Sequence, residues 1–117
     1  MVQNEFLTFN APTGMARFRF VTITLATDTV AYTAADGAAD AITIGNEANG
    51  VIAVQLLSDT SKSFWFEAAG AIAVGEEVMV GADGKGIKWV TDTTPPEKVC
   101  IAKSVGVDGA VVAGYNI

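Results

Sequence analysis

"AVGEEVMVGADGKGIKWV", residues 73–90, carries four glycines, a Gly-Lys pair and three acidic side chains. Such a run is a phosphate loop, a metal loop, or the turns of a small β-protein. A phosphate loop needs a glycine five positions before the Gly of Gly-Lys, and a Ser or Thr after the lysine. Position 79 is Met and position 86 is Gly, so both requirements fail. No helical pattern follows that would offer a helix N-terminus to a phosphate. A calcium loop gathers roughly six to eight oxygens from closely spaced acids. Here Glu76 and Glu77 stand at one turn and Asp83 at the next, at opposite ends of a short apolar run. The turn reading accounts for the whole stretch. Runs rich in β-branched residues alternate with Gly75-Glu76 and Asp83-Gly84, and Asp-Gly between two such runs is a strong hairpin signal because Gly accepts positive φ. The three acids are therefore expected to be solvated turn residues, with no metal and no cofactor.

The same grammar extends both ways. "RFRFVTITL" (residues 17–25) predicts a strand with Phe18 and Phe20 on one face and Val21, Ile23 and Leu25 on the other. The phase flips between Phe20 and Val21, which predicts a bulge or a bend where the strand changes sheet. "DTVAYT" is its expected partner, and a short strand is expected at "AITI". "GVIAVQLL" is nearly continuous in apolar residues and predicts a strand covered on both faces. "SFWFEA", "KVCIAKSV" and "AVVAGYNI" complete the set, the last two joined by a turn at Asp108-Gly109. Residues 1–16 read as an extended N-terminal arm ending in a turn at Pro12-Thr13-Gly14, followed by one β-domain over 17–117. The expected fold class is all-β, a small single-domain barrel or sandwich of short antiparallel strands.

Composition narrows the chemistry. The chain has 117 residues and a net charge of −6, with no histidine and one cysteine. Its pI is about 4.3 and its mean hydropathy +0.39. An acidic domain repels phosphate backbones, so no nucleic acid is expected as partner. The longest apolar runs fall far short of the ~20 residues of a membrane helix, so no membrane is expected either. The beginning of the chain lacks the basic head and apolar run of a secretory signal. Cys100 has no histidine to activate it and is expected to pack in a core or at an interface. A positive hydropathy in so small a chain implies a generous core or apolar surface covered by a partner.

The candidate contact residues are aromatic. The arm carries Phe6, Leu7 and Phe9 with no obvious partner strand nearby, and is expected to pack on a neighbouring chain. "SFWFEA" places Phe64 and Phe66 on one face and Trp65 on the other, so one set is expected at a subunit contact. Trp89 lies late in "KGIKWV", the strand expected after the Asp-Gly turn, and either tryptophan offers a surface for packing or for stacking on a sugar.

From "GVIAV" through "SFWFEAAG", "AIAVGEEVMVGADGKGIKWV" and "KVCIAKSVGVDGAVVAGYNI", the chain resembles the small all-β capsid decoration, or cement, proteins of tailed bacteriophages. The resemblance covers about residues 50–117 and rests on the order and spacing of the pieces. Cys100 and Lys103 stand where that family more often has small residues, and the "FWF" run is more aromatic than usual. The resemblance implies a structural virion protein without catalytic residues. It implies a protein made in the host cytoplasm and bound to the outer capsid surface, a homotrimer clamping subunits of the major capsid protein. Two other classes compete. One is a carbohydrate-binding β-module using Trp65 or Trp89. The other is a small hydrolase, which the absent histidine and nucleophile motif disfavour.

Overall fold

The computed structural model describes residues 7–35, 37–57, 63–90 and 98–115. Among the described residues ten strands follow one another: β1 Leu7–Asn10, β2 Phe20–Thr24, β3 Thr29–Tyr32, β4 Ala41–Thr43, β5 Val51–Leu56, β6 Ser63–Glu67, β7 Glu77–Val80, β8 Gly86–Lys88, β9 Cys100–Ala102 and β10 Val111–Tyr115. The only helical element among the described residues is a 3₁₀ turn, Ala82–Gly84. The all-β expectation holds, in the form of a closed barrel in the order β1-β3-β2-β4-β5 and a second five-stranded sheet in the order β6-β10-β9-β7-β8.

The barrel closes through its first strand. β1 pairs antiparallel with β5 over four residues, from Leu7↔Val54 to Asn10↔Val51. It meets β3 in parallel at Asn10↔Thr29. The second sheet curls until its two edges nearly touch, where Ala68 bridges Gly86 and the Ala69 N–H donates to the Gly86 carbonyl at 2.9 Å.

Two cores result. Phe9, Met15, Val21, Val30, Ala41, Ile52 and Val54 fill the barrel. The second core is lined by the inward faces of β6, β7, β9 and β10 and is completed by Phe20, Ile42 and Leu57 from the barrel. Phe20 is the joint. Its ring meets Phe64 edge-on at 6.1 Å and lies tilted against Phe66 at 5.5 Å. Edge-to-face and tilted pairs in this range add to plain area burial.

This arrangement revises several expectations. Phe20 and Val21 are both fully buried, because β2 is a wall shared by the two cores, so the phase flip marks two covered faces within one strand. β2 stays in the barrel, and the local irregularity lies at Phe18, whose φ is 63°. β5 is covered on one face only: Ile52 and Val54 are buried while Val51 is 42% exposed. The expected arm is part of the barrel from Leu7 onward, and Met15 from its end is buried in the core. A strand closing a barrel has its partners far away in sequence, which is why no partner pattern stands beside it. The turn expected at Pro12-Thr13-Gly14 is present: the Met15 N–H donates to the Pro12 carbonyl at 3.2 Å and Gly14 has φ 84°.

The opening stretch folds as the hairpin expected of it. Asp83 and Gly84 take φ values of 56° and 72°, and the Lys85 N–H closes on the Ala82 carbonyl at 3.1 Å. Such paired left-handed residues match the right-handed twist of the flanking strands. Gly84 is constrained twice over, since a Cβ there would lie 2.6 Å from the Phe20 carbonyl oxygen. The strand after the turn is shorter than "KGIKWV" suggested, ending at Lys88.

Candidate interaction surface on the second sheet

Strand alternation decides which side chains the second sheet turns outward. In β6, Phe64 and Phe66 point into the core and Trp65 points out. In β10, Val112 and Gly114 point in, and Val111 and Tyr115 are exposed. The register sets Trp65 opposite Ala113, Ser63 opposite Tyr115 and Glu67 opposite Val111. Tyr115 in turn faces Ile101 on β9, and Ile101 faces Glu77 on β7. Trp65 is 53% exposed, Val111 42% and Tyr115 41%. The outer face of an antiparallel sheet is commonly polar. Here Trp65, Ala113, Tyr115, Val111 and Ile101 form a connected apolar stripe, and contiguous exposed apolar surface is a feature of interaction sites.

Charged groups frame the stripe. Glu67 receives the Arg19 guanidinium at 3.3 Å and the Lys85 ammonium at 3.2 Å. Arg19 also donates to the Asp83 carbonyl at 3.0 Å and lies 5.6 Å over the Tyr32 ring. One carboxylate between two cations thus ties the barrel, β6 and the Asp-Gly hairpin together. At the other margin, Trp89 donates its backbone N–H to the Glu77 carbonyl at 2.8 Å. The Lys98 ammonium lies 4.5 Å from the Trp89 ring centre and 2.8 Å from Glu77.

Each expected contact residue now has a place. Phe9, Phe64 and Phe66 are buried within their own chain, so these three are core residues and are withdrawn as outward contacts. Burial on an inward face already supplies the partner each ring needed. Trp65 is the exposed member of the "FWF" run, and Leu7 is 41% exposed at the barrel. Trp89 is half-buried under Lys98. Phe6 lies outside the described residues. Sequence reading missed Val111, Tyr115 and the Arg19–Glu67–Lys85 cluster. The alternation in "AVVAGY" carried the signal for the first two; only the register placed them beside Trp65.

The turn acids have partners of their own. Glu76 accepts the Ala73 N–H at 2.7 Å and the Lys88 ammonium at 3.0 Å. That backbone donor first, and the lysine second, hold its carboxyl below the usual range. Glu47 spans two turns: one oxygen takes the Gly14 N–H at 2.9 Å and the other the Gly50 N–H at 2.6 Å. Both donors lower its pKa. Cys100 is fully buried, and burial pushes its thiol up to about 12. A thiol so placed carries almost no nucleophilic thiolate at neutral pH.

The fold has a solved counterpart. The chain is similar to the N base of the head fiber protein gp8.5 of bacteriophage phi29, with a TM-score of 0.75 at 15% sequence identity. The match covers 96% of this chain and 92% of that one, so both the barrel and the second sheet take part. No described protein family matches the sequence, and no curated protein does. At this identity the likeness speaks for the fold.

Proposed function

We propose that this protein is a non-enzymatic structural component of a phage virion. In this reading it sits on the outer surface of the assembled capsid, binds the major capsid protein and stabilises contacts between capsid subunits. It acts there as a homotrimer. The observation that carries the reading is the near full-length fold match to a phage head fiber base. The apolar stripe around Trp65 supports it by supplying a surface that another chain would cover. An acidic chain without histidine, whose single cysteine is an inert core thiol, fits a scaffold better than a catalyst. Neither nucleic acid nor a membrane is a partner in this reading.

The test is a substitution on the stripe. Covering the exposed half of Trp65 is worth at most about 2–3 kcal/mol at ~25 cal/mol per Å². Trp65→Asp forfeits that and places a charge in the contact, while the Phe64 and Phe66 core is untouched. The expected outcome is an unchanged thermal midpoint, a shift toward monomer in sedimentation, and loss of density from the source particle in electron microscopy. A substituted protein that still decorates the particle fully removes Trp65 from the contact. Absence of the wild-type protein from purified particles overturns the virion reading itself.

A second reading rests on the pair Trp65 and Tyr115, exposed on the outer face of one sheet with Ser63 beside them. Such a face suits stacking on the apolar side of a sugar ring. Binding on a glycan array, abolished by Trp65→Asp, with no association to particles, would favour it.

A further inference from the structure

We infer that the seam between β1 and β3 is a docking groove for an extended segment of a different protein chain, apolar on its inward face and carrying one lysine or arginine. The inference concerns the barrel and stands apart from the capsid contact proposed for the second sheet.

The seam is open because the parallel contact is so short. β3 begins at Thr29, level with the end of β1. Before it the chain turns away, with the Asp28 N–H closing on the Leu25 carbonyl at 3.2 Å. Leu7, Thr8 and Phe9 therefore have β5 on one side and no paired strand on the other, among the described residues. Strand geometry fixes which backbone groups face the gap. The Ala11 N–H goes to the Gly50 carbonyl on the β5 side, and the Asn10 N–H goes to the Asp28 carbonyl on the seam side, both at 2.9 Å. Alternate residues face opposite neighbours, so Thr8 turns its N–H and carbonyl into the seam. An open strand edge of this kind is a template for another strand.

The seam also has side-chain character. Beside it lies a hollow of about 470 Å³, lined by Leu7, Phe9, Ile23, Leu25, Asp40 and Leu56. Leu25 is 81% exposed there. Asp40 is the one charged residue of that lining, and one of its oxygens accepts the Ile23 N–H at 2.9 Å. A strand laid beside Thr8 would drop alternate side chains into the hollow. Leucine-sized residues match Leu7, Leu25 and Leu56, and a cation in the same face matches Asp40 on a chain of net charge −6. Asp40 is exposed at the margin of the hollow, and a carboxylate there favours a basic segment over an acidic one.

The test is amide chemical-shift mapping on the full chain with two synthetic peptides, acetyl-Leu-Thr-Lys-Thr-Leu-amide and its counterpart with Glu for Lys. The lysine peptide is expected to shift the amides of Thr8, Ile23, Leu25 and Leu56 and to bind about fivefold tighter than the other. Asp40→Asn removes that preference while keeping an acceptor for Ile23. Thr8→Pro deletes the seam-facing N–H and spares the β5 ladder, so it abolishes binding. Leu25→Asp does the same at an exposed position, should the proline variant fold poorly. Equal affinity for the two peptides, or no shift at these amides at millimolar peptide, overturns the inference. So does binding that appears only after residues 1–6 are deleted, since the chain's own beginning is then the occupant. Movement of the same amides with protein concentration alone overturns it too, in favour of a second copy.

Discussion

Gly86→Ala tests the packing logic of the second sheet. Gly86 opens β8 and is buried where the curled sheet nearly closes on itself. A Cβ there would lie 2.5 Å from two carbons of the Phe66 ring and 3.1 Å from a Val78 methyl. Ordinary carbon–carbon contact is about 3.5–4.0 Å, so the ring must retreat by roughly an ångström. It has nowhere to go. Phe66 is fully buried, with Phe20 on one side at 5.5 Å. A Cβ at Gly114 would already come within 3.1 Å of it. Overpacking of a filled core costs about 1–3 kcal/mol, and a wedge with no relaxation path belongs at the upper end. For a chain of this size that lowers the thermal midpoint by roughly 8–12 °C. The assay is urea and thermal unfolding of four proteins: wild type, Gly86→Ala, Phe66→Leu and the double variant. Phe66→Leu alone destabilises, yet it removes the ring carbons that the new methyl strikes. The double variant should therefore lose clearly less than the sum of the singles. A Gly86→Ala protein with the wild-type midpoint, or strict additivity in the cycle, would mean that the new methyl and the Phe66 ring do not clash.

Cys100 should resist a disulfide reagent at pH 8 in the native protein and react fully once unfolded in urea; fast native reaction would contradict its burial and raised pKa. Glu47 has a folded pKa below its ordinary value of 4.5, so its contribution is fully present above that value and fades as pH falls through the lowered one. Glu47→Gln should flatten the acid limb of the stability profile, and identical limbs would exclude the two-turn brace. Calcium or a chelator should leave the thermal midpoint unmoved, because Glu76 and Glu77 already hold lysines. A rise with calcium would reveal metal binding to the native state by mass action.

Local chemistry made much of the fold legible in the sequence. Gly and Asp-Gly positions mark turns because few other residues take positive φ, and alternation marks strands because side chains point to opposite faces. From these the hairpin at Asp83-Gly84, the strands around Val30, Ile42 and Ile101, and the two-faced "FWF" run could be read directly. The closing of the barrel could not. β1 finds β5 more than forty residues away and β3 across a parallel contact, and no short-range pattern encodes either. The same limit explains the reading of β2, where one strand serves two cores and its buried phase breaks. It also explains the candidate surface. Trp65 announces itself as an outward aromatic candidate, but Tyr115 and Val111 become its neighbours only through pairing of strands far apart in the chain. Residue type and spacing determined the elements and their faces. Which faces meet, and which remain uncovered, was decided by tertiary closure, because burial is a property of the assembled sheets and each strand has two sides to offer.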